Sequence, residues 1–274
     1  MKSFKVLVAI FFLYSGALFA QEKTAKLEEL YSGLSKPTSI YVTQQHIFVV
    51  ESGKHRVLKL DHYGELIETV GGLGNGDYQF DTPLDIDATN GLKIYVADYR
   101  NNRVQVFDRR FQFLTSIRRQ QSTGLTRAIR PTQATVNKFG ELFYFDESSK
   151  TIIGIDEQGN QLYSFPISSE IKSVSDIQSV NRNLYILDLE QQIYHELSDN
   201  GLEILSYPLE GATQLFVDKN EIEWLIGGSS IRNSRSPESI ANFSDNQDVV
   251  DFFKLDNSFF ILTENTISKL TIEN

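Results

Sequence analysis

The 274-residue chain contains no cysteine. That absence excludes disulfides, thiolate metal sites, iron–sulfur ligation, a cysteine nucleophile and a lipidated N-terminal cysteine. Histidine is scarce too. His46, His55, His62 and His195 are the four present, and their spacing points to no shared centre of several imidazoles. The sequence holds no G-x-S-x-G elbow, Walker-A loop, dinucleotide fingerprint or H-E-x-x-H. Beyond the first twenty residues no apolar run is long enough to cross a bilayer. No later stretch carries a long helical period. The net charge of −10 argues against general nucleic-acid binding. What is abundant is apolar material: 41% hydrophobic residues at this length exclude a disordered chain and suffice for one large domain without covalent staples.

Residues 1–20 read as an export signal. Lys2 and Lys5 precede the apolar run from Val6 to Tyr14, and small residues follow at Ser15, Gly16, Ala17 and Ala20. Cleavage is expected after Ala17 or Ala20. Removing residues 1–20 takes away two lysines and no acid, so the mature charge becomes −12. The expectation is an exported protein, periplasmic or extracellular, with no membrane span after cleavage. Residues 21–274 then form a single domain.

That domain repeats itself. Lys36–Asp61 (KPTSIYVTQQHIFVVESGKHRVLKLD), Thr82–Asp108 (TPLDIDATNGLKIYVADYRNNRVQVFD) and Arg130–Asp156 (RPTQATVNKFGELFYFDESSKTIIGID) share one grammar. Ser173–Ser198, a weaker copy at Ala212–Gly228 and Val249–Ile272 continue it, giving six units. Each has a short strand after a proline or small polar residue, then an apolar strand (HIFVV, KIYVA, LFYF, NLYIL, IEWLI, SFFIL). Glu51, Asp98, Asp146 and Asp188 end four of these strands at intervals of 47, 48 and 42 residues. A third strand, a turn with Asp or Ser, and an outer strand complete the unit. Four strands every ~40–48 residues are the sequence form of a β-propeller blade. The acids' recurrence predicts a structural task, accepting turn N–H groups. A polar insert is expected near residues 229–246 in the fifth unit.

The second unit, with Pro83, IYVAD at Ile94–Asp98, Asn101-Asn102-Arg103 and VQVFD at Val104–Asp108, resembles an NHL repeat. The resemblance implies an all-β fold, a six-bladed β-propeller. The sixth unit stops after its third strand, while Lys26–Leu34 (KLEELYSGL) matches the outer strand Glu65–Leu73 (ELIETVGGL). The N-terminal segment is therefore expected to supply the last blade's outer strand, closing the ring and covering an edge.

Two features suggest binding chemistry. Residues 99–130 hold eight arginines, no lysine and one acid, Asp108. Arg100 and Arg103 fall in a turn between second and third strands, and Arg118, Arg119, Arg127 and Arg130 in the next blade connection. These six share one face and suit bidentate pairing with carboxylate, phosphate or sulfate; Arg109 and Arg110 fall on the other face. The second feature is a column at the start of the first strands: Ser39, Asp85, Gln133, Asp176, Gln214 and Asp251. Asp85, Asp176 and Asp251 recur at alternate blades around the pore, and three carboxylates there are candidate ligands for a hard cation, Ca2+.

The expected function is non-catalytic binding or scaffolding on the face bearing the arginines and the polar ring, with a protein or an acidic ligand or polysaccharide as partner. The alternative is a lactonase- or lyase-like hydrolase with a cation in the central channel.

Overall fold

A computed structural model describes residues 25–89, 91–122, 125–228, 230–234, 236–242 and 248–272. The expected signal, residues 1–20, lies outside them.

β-Branched and aromatic residues fill the repeated segments, and each unit folds into a four-stranded antiparallel sheet. Blade one comprises Pro37–Val42, Ile47–Glu51, Arg56–Leu60 and Leu66–Gly71. Blade two comprises Pro83–Asp87, Lys93–Asp98, Arg103–Asp108 and Phe113–Ile117. Blade three comprises Pro131–Val136, Leu142–Asp146, Thr151–Ile155 and Gln161–Pro166. Blade four comprises Asp176–Val180, Asn183–Asp188, Ile193–Ser198 and Glu203–Pro208. Blade five comprises Gln214–Val217, Glu223–Gly227, Ser230–Asn233 and Ser236–Asn242. Blade six joins Val249–Leu255, Ser258–Thr263 and Thr266–Ile272 to the N-terminal strand Ala25–Ser32. The first strand of each blade is innermost, and these strands touch in sequence around the ring, blade six meeting blade one. The six sheets form a six-bladed β-propeller, with a 3-10 turn at Ser52–Lys54 and no α-helix among the described residues.

The core lies between blades. Phe48, Val50 and Val57 of blade one pack on Phe80 in the connection and on Ile86, Val96 and Phe107 of blade two. Val49, Leu58 and Leu60 pack on Phe260, Leu262 and Ile267 of blade six. Each sheet is thus apolar on both faces, which explains why second strands such as Ile47–Glu51 and Leu142–Asp146 read as unbroken buried runs. The outer strand Leu66–Gly71, by contrast, is mostly exposed.

Ring closure follows the sequence expectation. Ala25–Ser32 pairs antiparallel with Thr266–Ile272, Ala25 opposite Ile272 and Ser32 opposite Thr266, with a bulge between Glu29 and Tyr31. Leu27 packs into the blade-six core, and Leu30 and Tyr31 into the core shared with blade one. The strand-ending acids are fully buried. Glu51, Asp98, Asp146 and Asp188 accept the backbone N–H groups of Ser35, Asp81, Arg130 and Lys172 at 2.9, 2.8, 2.8 and 2.7 Å. Each ties the end of a second strand to the connection entering its blade.

Two details differ from expectation. The described part of the polar stretch 229–246 is no insert: it forms the third and outer strands of blade five. Among their described side chains only Ile231 and Ala241 are buried, so they carry little apolar alternation. The connection between blades two and three folds into a hairpin, Arg119–Ser122 with Leu125–Ala128.

Candidate functional site

Antiparallel order sorts the loops. Turns between first and second strands share one face with turns between third and fourth strands. Turns between second and third strands share the opposite face with the blade connections.

On that opposite face the six arginines part company. Arg103 is completely buried. Its Nε donates to Asp98 Oδ2 at 2.8 Å, Nη1 to the Asn75 carbonyl at 3.0 Å, and Nη2 to the Gly76 and Gln79 carbonyls at 2.9 and 2.6 Å. Its place in the expected binding set is therefore corrected: the guanidinium ties Asp98, at the end of a second strand, to the connection entering blade two. Arg127 pairs with the buried carboxylate of Asp146. Arg130 lies 4.9 Å over the Tyr99 ring, and the Tyr99 hydroxyl donates to Glu147 Oε2 at 2.7 Å. Arg100 and Arg118 are exposed. The backbone of Arg119 belongs to the hairpin, and its side chain lies outside the described residues.

The polar column is real. Ser39, Asp85, Gln133, Asp176, Gln214 and Asp251 all stand opposite the residue preceding the last residue of the second strand. Two residues on, a second layer holds Tyr41, Asp87, Thr135, Gln178, Phe216 and Phe253 in equivalent register. Sequence reasoning passed over this layer; stepping by two along each first strand would have found it.

An innermost strand is an edge strand, and its outward N–H and C=O groups need partners. Side chains of the preceding blade supply them. Asp251 Oδ2 accepts from Ile40 N–H at 2.8 Å, and Asp85 Oδ2 from Ala134 N–H at 2.8 Å. Asp87 Oδ2 accepts from Val136 N–H at 3.0 Å, and Thr135 Oγ1 from Ser179 N–H at 2.9 Å. Gln178 Oε1 accepts from Val217 N–H at 2.8 Å while its amide donates to the Leu215 carbonyl at 2.5 Å. Gln133 likewise donates to the Ser175 carbonyl at 2.7 Å. All run in one sense around the ring. Phe216 and Phe253 occupy the corresponding places in blades five and six and have no polar group to offer.

The second layer therefore divides. Asp87, Thr135 and Gln178 make a polar half on blades two to four. Tyr41, Phe216 and Phe253 make an aromatic half on blades five, six and one, with Phe253 centred 4.6 Å from each of the other two rings. The second layer, with Ser39, Asp85, Asp176 and Asp251 of the first, lines a central cavity of about 910 Å³. Its remaining lining includes other first-strand residues such as Ile86 and Lys254, first-to-second-strand turns with Gln44, Lys138 and Asn181, and Arg109 in a third-to-fourth-strand turn. The cavity thus opens on the face away from the arginine cluster, and Ser39, Asp85, Asp176 and Asp251 are its deep end.

Burial governs the acids at that end. It raises Asp87 to about 6, against hydrogen bonds from Thr89 and Val136 that act the other way. It raises Asp176 to about 7, with the charge of Asp85 adding to the effect. Asp85 is also raised by burial. Asp251 stands well above the usual carboxylate range through burial and the charge of Asp176.

Asp85, Asp176 and Asp251 are all at the deep end, yet among the described residues no three His, Asp or Glu side chains converge as a metal cluster. Asp85 accepts the Ser39 hydroxyl at 2.7 Å and the Ile86 and Ala134 N–H groups, and Asp251 accepts the Ile40 and Phe252 N–H groups. These oxygens face N–H and O–H donors. The histidines are dispersed: His195 is buried in blade four against Glu203, and His62 bonds the Thr43 carbonyl in blade one.

The NHL repeat pattern matches residues 80–107. No functionally curated protein matches the sequence. Among solved structures, the chain is similar to a virginiamycin B lyase from Staphylococcus aureus at 12% identity and a TM-score of 0.65, over 92% of this chain and 100% of that one. A streptogramin B lyase aligns at 12% identity and a TM-score of 0.64, over 91% and 98%. A protein of unknown function from Bacteroides thetaiotaomicron aligns at 11% identity and a TM-score of 0.66, over 92% and 77%. At such identities the likeness is one of fold. The chain is thus a six-bladed β-propeller whose second blade carries an NHL repeat.

Proposed function

We propose that the protein is an exported, non-catalytic binding propeller that receives its ligand in the central cavity. The amino-terminal apolar run supports export. One observation carries the binding reading: a cavity of about 910 Å³ whose walls are repeated inner-strand positions, polar on three blades and aromatic on the other three. That combination of room, apolar surface and a few fixed polar groups is the general form of a ligand site. Most of the polar groups are held by backbone hydrogen bonds, so the site is preorganised. The exposed Arg100 and Arg118 offer a second, smaller surface for an acidic protein or polysaccharide.

The test is a ligand screen by thermal shift on the wild type and on Phe253→Leu. A cavity ligand raises the wild-type midpoint with concentration and loses most of that effect in the variant. Equal shifts in both proteins would place binding elsewhere.

A lactonase- or lyase-like reading has one observation in its favour. Asp87 and Asp176 titrate near neutrality inside a cleft, as general acids and bases do. Turnover in a lactone, ester and streptogramin panel, abolished by Asp176→Asn, would replace the binding reading.

A further inference from the structure

The buried acids of this protein fall into two groups. At the blade junctions most are matched by cations: Glu51 by Lys54 and Arg56, Asp98 by Arg103, Asp146 by Arg127. In the channel they are not. Among the described residues, Asp85, Asp87, Asp176 and Asp251 have no lysine or arginine within ion-pair distance; their partners are backbone N–H groups, the Ser39, Thr89 and Thr135 hydroxyls and the Gln178 amide. Acids gathered in a low-dielectric channel without a cation are costly to ionise. The cavity leads directly to them, and Asp176 and Asp251 are partly exposed to it.

Across the cavity stand Tyr41, Phe216 and Phe253. Aromatic faces attract cations and shed little free energy on losing water. A wall of three such rings beside unpaired carboxyl groups is complementary to one kind of molecule, a positive charge carried on an apolar body. Resting on the binding reading above, we propose that the cavity takes an organic cation, a protonated amine or quaternary ammonium whose charge faces Asp85, Asp87, Asp176 and Asp251 and whose apolar part lies on Tyr41, Phe216 and Phe253.

The charges at the mouth do not reverse this preference. Arg109, Lys138 and Lys219 belong to the turns, where Asp218 and Asp256 accompany them. Lys138 Nζ donates to Asn181 Oδ1 at 2.7 Å, and Lys254 Nζ sits 4.6 Å over the Trp224 ring. The deep end itself is lined by acids and neutral groups.

The experiment compares three probes of similar size by calorimetry and ligand-observed NMR: phenethylammonium, 2-phenylethanol and 3-phenylpropionate, with Ca2+ as a fourth. The ammonium is expected to bind about tenfold tighter than the alcohol, with the carboxylate weakest. Asp176→Asn should remove the ammonium's advantage while leaving alcohol binding in place. This variant is chosen because Asp176 caps no neighbouring strand and the fold does not hang on it; Asp87→Asn is the second, independent variant. Phe253→Leu should weaken ammonium and alcohol alike. Alcohol or carboxylate binding as tightly as the ammonium, and sensitive to Phe253→Leu, would overturn the cation proposal and leave the cavity reading standing. Failure of all three organic probes, or binding insensitive to Phe253→Leu, would overturn both. Displacement of the ammonium by Ca2+ at equal concentration would also overturn it, in favour of a metal ion.

Discussion

Arg103 donates to four acceptors, one carboxylate and three main-chain carbonyls, and has no exposed surface. Replacing it by alanine leaves Asp98 buried without its cation and takes the guanidinium donor from the Asn75, Gly76 and Gln79 carbonyls, of which Gln79 keeps the Gln105 amide. The expected cost is about 3–5 kcal/mol, the range for breaking a buried ion pair from one side, read as a fall in the urea midpoint. Arg118→Glu, an exposed substitution, should change stability by no more than about 0.5 kcal/mol. The contrast explains what was legible here. Arginine density in residues 99–130 is plain in the sequence, but which arginine is buried depends on the Gly74–Gln79 loop folding back from 24 or more residues away. Local spacing carries no trace of that contact. The strand-ending acids were legible because their recurrence reports a task performed in every blade.

At the scale of elements, the closing strand rests on blade one through a turn. Gly64 has φ +88°, and a Cβ there would stand 2.0 Å from the Leu30 carbonyl oxygen of the N-terminal strand. Gly159 holds the same turn position in blade three at φ +87° with open space around it. Both Gly→Ala changes carry the strain of a left-handed conformation, of order 1–2 kcal/mol; Gly64→Ala alone adds a clash with backbone. Its melting temperature should therefore fall clearly below that of Gly159→Ala, and equal melting would show that the turn does not clamp the strand. Deleting residues 25–32 bares the edge of Thr266–Ile272 and should produce concentration-dependent association in light scattering. The sequence revealed this closure because KLEELYSGL copies an outer strand and the sixth unit lacks one. It concealed the third and outer strands of blade five, because SIRN and SPESIAN are short and mostly polar and so mark no period.

At the scale of the whole molecule, the ring is a set of edge strands capped by their neighbours, and capping by carboxylates places titratable groups in the channel. The first layer is visible in the aligned strands; the division of the second into polar and aromatic halves is not, because aromatic residues in a strand read as core. The pH dependence of stability follows from the acids. Asp85, Asp87, Asp176 and Asp251 are raised by burial above the ordinary value of 3.8. The folded protein therefore holds more protons than the unfolded chain once pH exceeds that value. Their stabilisation is complete in acid and lost as pH climbs through about 6 for Asp87 and about 7 for Asp176. Asp146 and Asp188 work in the opposite sense: burial raises each, but hydrogen bonds outweigh it and hold both below 3.8, so their contribution vanishes on acidification. The melting temperature should peak near pH 4, where the acids of the unfolded chain begin to ionise, and drop by roughly ten degrees or more by about pH 8. One pKa unit is about 1.4 kcal/mol, and each kcal/mol moves the midpoint of a domain this size by roughly 2–4 °C. Asp176→Asn removes one of these protons and should flatten the decline, whereas Asp156→Asn, in an exposed turn, should leave its slope unchanged. A wild-type midpoint that rises from pH 5 to pH 8 would show that the channel acids are ionised in the folded state at little cost.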